Sequence, residues 1–303
     1  MGLPPLNTGD VITASLIKNT SMSKSRVYWL LLLSLSLVPL GAFAIATQNK
    51  GVAPPMAGPQ DSLRNNIAGL TYAIESGRFH GKRLAGLYKF RGILRSDMME
   101  LESALVDLAK AIALESKNPE NYLQLATVLY RLRRDDEALS ALAKAERLSP
   151  RSSMLYMQRG YLHYYRQQYQ AALKDFESAW RLNVKDAYAL LWIFIAAEKE
   201  RGQGRQALEK KRSDAMLDEW PGELIKLYKG DLSATQFESN LRQTQPSPWQ
   251  VCEARFYLGQ YYALHGERDA ALQQFQLAHA MQQVEFTEHH LAKRELAAWV
   301  GGL

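Results

Sequence analysis

Tyr88, Gly92, Ala104, Leu108 and Ala111 form a pattern that returns as Tyr122, Ala126, Ala138, Leu142 and Ala145, then as Tyr156, Gly160, Ala172, Phe176 and Ala179. Each copy lies 34 residues beyond the last, and all fifteen positions keep their class: aromatic, small, small, large, small. Self-similarity at such a period marks an array of units, each burying its apolar face on its neighbours. The two small residues that bracket the middle of a copy stand twelve positions apart, which fits a helix, a tight turn and the start of an antiparallel helix. Gly or Ala at a helix crossing lets two backbones approach to the short end of the range of about 8–10 Å, while the aromatic and the Leu or Phe fill the wedge beside it. Asn118-Pro119 opens the second copy and Pro150 closes it, where a helix must stop.

Outward from this block the pattern weakens and then recovers. Clear copies are expected over 85–118, 119–152, 153–186 and 252–285, and a degenerate stretch over 187–250. In the degenerate stretch Leu190, Ile193 and Ala207 keep the pattern with a slip, and Glu219-Trp220-Pro221-Gly222 breaks it. Two shorter helical segments come next, Glu223 to Lys229 and one opened by Ser233 with Gln236 three residues on, a capping box. The pattern returns as Leu258, Gly259, Tyr262, Ala271, Phe275 and Ala278. A last helix from about Thr287 to Val300 places Leu291, Leu296 and Trp299 on one face and reads as the end cap. The expected fold is all-α, a superhelix of antiparallel helix pairs over residues 61–303.

Composition agrees. Of 303 residues 47% are apolar and 22% charged, enough apolar mass for a packed core and too much for a disordered chain. The net charge of +6 shrinks to about +3 once Lys18, Lys24, Arg26, Lys50 and Asp10 are set aside, so no basic stripe points to nucleic acid. Cys252 is the single cysteine, which rules out an intramolecular disulfide and a multi-cysteine metal site; it is expected as a small buried side chain at a helix start.

Residues 27–49 carry no charge, and Val27 to Val38 is a dense apolar block behind Lys24 and Arg26. At about 12 residues it has the size of a signal-peptide core and falls short of the ~20 of a spanning helix. Ala42-Phe43-Ala44 and Ala44-Ile45-Ala46 offer cleavage sites with small side chains; the competing reading keeps the segment as an uncleaved anchor with its basic end in the cytoplasm. Either way residues 1–46 act as an export segment, residues 47–60 as a Pro/Gly spacer, and the bulk of the chain is expected in the periplasm or cell envelope.

The 34-residue signature resembles that of tetratricopeptide (TPR) repeats. More narrowly, Ala85 to Gly92, Leu191 to Lys199, the insert from Trp220 to Leu241, and Arg255 to Tyr262 with Phe286 to His289 resemble the NlpI family of bacterial envelope lipoproteins, over roughly residues 65–298. This chain lacks the lipidated cysteine which that family carries behind its signal sequence. The resemblance implies a homodimeric periplasmic adaptor that holds peptidoglycan hydrolases and a periplasmic protease together. An assembly factor for an appendage or secretion system uses the same fold and is the alternative; a hydrolase with an unrecognised site is the remaining one.

No motif for catalysis or a cofactor is present: there is no Gly-x-Ser-x-Gly elbow, zinc helix or Walker loop, and Gly202-Gln-Gly204 has no strand before it. His289 with Glu285 shares a helix face but lacks a third metal ligand, so it reads as solvated or capping. By the repeat resemblance, the first helix of each pair lines a concave groove for protein or peptide partners. That places Lys89 and Ile93, with Ser96, from the first copy in the groove; Leu123, Thr127, Tyr130 and Arg131 from the second; and Met157, Tyr161, Tyr164 and Tyr165 from the third. Such a tyrosine- and methionine-rich lining suits docked side chains with hydrogen bonds to a peptide backbone, though packing of these tyrosines on the next repeat is an equal alternative. A two-carboxylate clamp for acidic C-termini is absent, since Ile93 stands where an Asn is required.

Met22-Ser-Lys-Ser-Arg26 would be a compact start to the export segment, which makes Met22 the expected translation start. N-terminal peptide mass spectrometry on the native protein should then find nothing from residues 2–20; any such peptide disproves it.

Overall fold

The computed structural model describes residues 59–211, 219–281 and 287–300. These fall within one compact unit spanning 56–303. The apolar segment, its cleavage sites and Met22 lie outside the described residues. Among those residues the chain is helical throughout, and no helix is long and apolar enough to cross a membrane.

A first helix, α1 (Pro59–Glu75), packs on the first of three successive hairpins: α2 (Gly81–Asp97) with α3 (Leu101–Leu114), α4 (Pro119–Arg131) with α5 (Asp135–Leu148), and α6 (Ser153–Tyr165) with α7 (Tyr169–Leu182). The array continues through α8 (Ala187–Arg201) and the short α9 (Gly204–Glu209), α10 (Gly222–Lys229) and α11 (Ala234–Gln243). It closes with the pair α12 (Pro248–Leu264) and α13 (Arg268–Ala280), covered by α14 (Thr287–Val300). The expected punctuation is present. Asn118 caps α4 by accepting from the Glu120 amide with Pro119 in the first turn, and Ser233 and Gln236 close the capping box of α11.

Each hairpin turns through three residues whose middle one is left-handed: Met99 (φ 61°), Arg133 (φ 64°) and Gln167 (φ 59°), spaced by the repeat period, then Gly266 (φ 77°) in the last pair. Only the last is glycine, so the first three turns carry a steric cost of about 1–2 kcal/mol each that their hairpin packing must outweigh.

That packing depends on the small residues. A Cβ added at Gly92 would stand 3.1 Å from Leu108 Cγ, and one at Gly259 would stand 2.6 Å from Phe275 Cε1; at Gly160 it would run into the Phe176 ring. Ala104, Leu108, Ala138, Leu142, Ala172, Phe176, Ala271 and Phe275 are fully buried. The repeated aromatic also does the same job in successive copies: the Tyr122 and Tyr156 hydroxyls donate to the carbonyls of Ser116 and Pro150, six residues back in each case.

An ion pair joins the two helices of the first and third hairpins, buried in the first and part-buried in the third. Arg91 meets both carboxylate oxygens of Asp107 at 2.9 and 2.7 Å, and Arg159 meets both of Asp175 at 2.9 and 2.8 Å. The second hairpin has Leu125 and Ala141 at these positions, an apolar pair at the same two places in the repeat.

The degenerate stretch supplies the deepest core. In α8 every residue from Ala189 to Ala197 is buried, as expected of a helix apolar on all sides. Trp192 is fully buried, with ring centroids of Tyr161, Tyr164, Phe176, Phe256 and Tyr257 between 5.0 and 6.4 Å away, and its indole N–H donates to the Tyr257 hydroxyl at 3.1 Å. Cys252 is buried near the start of α12, its Sγ 3.6 Å from the Ala278 carbonyl.

Gly259→Ala is expected to destabilise the chain by about 1–3 kcal/mol through overpacking, and Phe275→Leu in the same chain to recover part of that loss. Urea unfolding of the three chains checks this; an unaffected midpoint for Gly259→Ala would show that the α12–α13 crossing can relax.

Candidate interaction groove and the helix seated in it

The inner helices α2, α4 and α6 bring the predicted groove residues to one side of the array, in three different states. Lys89 and Ile93 are half-buried on α2, the Lys89 ammonium 5.3 Å from the Phe90 ring. Thr127 accepts from Gln158 Nε2 at 2.9 Å, and Arg131 Nη1 donates to Ser96 and Asp97 at 2.9 and 3.1 Å, tying α4 to its neighbours. Leu123, Met157 and Tyr164 are not open to a ligand at all. They are 4%, 8% and 5% exposed, Leu123 inside the second hairpin and Tyr164 edge-on to Trp192 with its hydroxyl donating to Gln260. Tyr161 likewise rests on Phe176 and Trp192, at 5.6 and 5.0 Å. The packing alternative therefore holds for Tyr161 and Tyr164, because α8 brings a tryptophan to the place where the regular repeat would leave room.

Tyr130 and Tyr165 face something else: α14. This helix covers the last pair as a cap does, and in addition reaches back to the second and third hairpins. Arg294 donates to both carboxylate oxygens of Asp135, at 3.1 and 2.7 Å, across 159 positions of sequence. Its guanidinium carbon lies 4.4 Å from the Tyr130 ring centroid and 4.7 Å from that of Tyr165. Tyr165 also donates its hydroxyl to the Leu291 carbonyl at 3.4 Å, and Gln260 donates to Glu295 at 2.6 Å. Asp135 is the first residue of α5, where a carboxylate suits the positive end of the helix.

The inner face of α14 differs from the one its apolar spacing predicts. Leu291 is fully buried, but Leu296 and Trp299 are only half-buried, Trp299 lying under Arg268 at 5.4 Å. The residues buried with Leu291 are Ala292 and five ionisable ones, Glu288, His289, His290, Arg294 and Glu295. His289, expected as solvated or capping, lies inside, its ring 4.6 Å from that of His279. Glu285 falls outside the described residues, and among those described no cluster of three His, Cys, Asp or Glu is arranged to hold a metal.

Burial sets the electrostatics of this seat. It raises Glu253 on α12 to about 8, with repulsion from Glu288 adding to it and hydrogen bonds from Trp220 and Tyr188 opposing it, and raises Glu288 on α14 to about 7, against hydrogen bonds to its carboxyl from its own backbone and from Tyr257. Burial likewise raises Glu295 and holds His289 down at about 4, with His279, Lys293 and Arg131 adding repulsion. Shifted carboxyls of this kind are a signature of active sites. Here they lie between helices, and two hollows among the described residues are elsewhere: one at Gly266, Arg268, Ala298 and Trp299, the other around Lys174, Glu177 and Arg201.

No family model matches the chain. Among solved structures, a tetratricopeptide repeat protein from Parabacteroides merdae ATCC 43184 superposes with a TM-score of 0.51 at 18% identity, covering 76% of this chain and 92% of that one. The fold is a tetratricopeptide-repeat superhelix. YrrB, described as a TPR protein with an unusual peptide-binding site, gives 0.41 at 21% identity over 76% of this chain and all of its own. MamA gives 0.44 at 17% identity over 51% of this chain and 92% of that one.

The pH dependence has a definite sign. Glu253 and Glu288 have pKa values raised above the ordinary 4.5, so their contribution to stability is present below that value and is lost as pH rises through about 7 to 8. His289 opposes at the acid end, its contribution lost as pH falls from 6.5 through about 4. Glu288→Gln is expected to flatten the alkaline limb and to stabilise the chain at pH 9 by on the order of 2 kcal/mol. Thermal unfolding from pH 5 to 9 measures it; parallel curves for the two chains would refute a buried, protonated Glu288.

Proposed function

We propose that the chain is an exported, non-catalytic scaffold for protein–protein interaction, and that its concave face docks helical segments of its partners. The observation that carries this is α14 itself: the groove holds a helix by a bidentate ion pair, two tyrosine faces and a hydrogen bond to a main-chain carbonyl. Those are the contacts of a docking surface, with aromatic anchors around a charged fork. The rest of the inner face, around Lys89 and Ile93, remains for a partner. A catalytic reading finds no support in the raised carboxyls, since Glu253 and Glu288 are walled in by Tyr188, Trp220 and Tyr257.

The narrower role we propose is that of an envelope adaptor for peptidoglycan hydrolases or a periplasmic protease, which rests on the resemblance of the stretches around residues 85–92, 191–199 and 220–262 to NlpI. Export rests on the uncharged segment 27–49 behind Lys24 and Arg26.

Cross-linking capture from envelope fractions tests both levels, comparing the full chain with a Lys89→Glu, Ile93→Glu variant that leaves α14 and its seat untouched. Peptidoglycan hydrolases should be enriched and their capture should fall at least tenfold in the variant. Unchanged capture would remove the open half of the groove as the contact surface, and recovery of appendage or secretion components would move the role to assembly.

A further inference from the structure

The seat of Arg294 is more selective than a surface ion pair. Its guanidinium lies between two tyrosine rings, Tyr130 at 4.4 Å and Tyr165 at 4.7 Å, and its fork meets both oxygens of Asp135. Arg294 is 5% exposed. A planar, delocalised cation satisfies two ring faces and two in-plane oxygens at once; a lysine ammonium cannot, because it is a point charge without a fork. The three residues of this cage come from α4, α5 and α6, so the array itself positions them and α14 only fills them.

The way α14 is held differs from the way the other helices are held. The hairpins join through Ala, Leu and Phe at zero exposure, whereas five of the seven buried residues of α14 are ionisable. Permanent interfaces resemble a divided core, and exchangeable ones carry more polar groups. Glu288 on α14 and Glu253 on α12 are both buried, and among the described residues neither carboxyl is in an ion pair with a cation. Within the cage Arg294 Nε and the Tyr130 hydroxyl are buried with no protein group hydrogen-bonded to them. A competing helix whose arginine reaches the Tyr130 hydroxyl gains what α14 leaves unmet.

We propose that Tyr130, Asp135 and Tyr165 form an arginine-recognition site, closed by Arg294 of α14 in the unloaded protein and opened when a partner helix presenting its own arginine displaces α14. The proposal rests on the groove being the docking face and adds the chemistry it selects: an amphipathic helix with an arginine one turn after a leucine, as Arg294 follows Leu291. The scaffold is then self-capped, and a partner binds only as tightly as it outcompetes the tethered helix.

The test uses the full chain and a fluorescent peptide with the sequence of residues 287–300. The Arg294→Gln chain should bind this peptide at least tenfold more tightly than the wild-type chain does, and at least tenfold more tightly than it binds the same peptide carrying Gln or Lys in place of its arginine. Adding Asp135→Asn should erase the preference for arginine. Hydrogen exchange on the Arg294→Gln chain should show faster exchange in α14 with α6 and α7 still protected; if that chain fails to fold, Asp135→Asn alone releases α14 for the same measurement. No peptide binding with α14 still protected would make the helix a permanent part of the core and overturn the proposal. Equal binding of the arginine, lysine and glutamine peptides would overturn the recognition site. A wild-type dimer formed by exchange of α14 would assign the site to a second copy and overturn the partner reading. Any of these results, with capture still lost in the Lys89→Glu, Ile93→Glu variant, sinks this proposal and leaves the groove reading standing.

Discussion

Trp192 is the constraint on which the rest of the molecule depends. Its indole sits where α6, α7, α8 and α12 converge, ringed by Tyr161, Tyr164, Phe176, Phe256 and Tyr257 and hydrogen-bonded to Tyr257. Repeat arrays contact only their nearest neighbours, so an insert that breaks the series should uncouple the repeats on its two sides. Here residues 202–247 interrupt the series, yet α12 packs directly on α8 through this aromatic cluster. The helices α10 and α11 add Leu224, Ile225, Tyr228 and Phe237 to the same core, and the superhelix continues from α8 to α12. The same cluster explains why Tyr161 and Tyr164 are not free on the inner face: they are drawn into the joint. A groove that would otherwise run the length of the array ends at Trp192, and α14 lies at the point where it ends.

That arrangement links fold to function through two kinds of packing. The hairpins rely on backbone proximity at Gly92, Gly160 and Gly259 and on fully buried Leu and Phe, contacts that a few tenths of an ångström would spoil. The seat of α14 relies on an ion pair, cation–π contacts and hydrogen bonds among groups that water also satisfies. The first kind fixes a shape; the second admits an exchange of partners at little cost to that shape.

The array was legible because its determinants are local and periodic. A small residue at position 92, 126 and 160 facing another at 104, 138 and 172 needs no knowledge of distant sequence, and neither does a cap such as Asn118 or a capping box such as Ser233 with Gln236. The groove residues were legible only as a face. The repeat resemblance placed Lys89, Thr127, Tyr130 and Tyr165 on it, but whether a face is open depends on what arrives from far along the chain, and nothing local in Tyr164 announces Trp192 or Gln260. The pairing of Arg294 with Asp135 spans 159 positions and has no period to betray it. The sequence does carry one signal: α14 has Glu288, His290, Arg294 and Glu295 on the arc around Leu291, an arc too polar for the buried face of a simple cap.

The ion pairs inside the hairpins show the same division from another side. Arg91 with Asp107 and Arg159 with Asp175 recur at twice the repeat period, while the copy between them has Leu125 and Ala141. A buried ion pair adds little net stability over an apolar pair of similar size, because desolvation offsets most of its attraction. If stability were its purpose, the middle hairpin would be at a disadvantage, yet its core residues Ala138, Leu142 and Ala145 are as fully buried as their counterparts. What the charged pair supplies is register, since a slipped hairpin would strand a charge, and the middle hairpin inherits its register from neighbours on both sides. It is also the hairpin that contributes Tyr130 and Asp135 to the seat of Arg294. With its own interior apolar, Asp135 is the carboxylate that hairpin offers to Arg294, and no internal arginine competes for it.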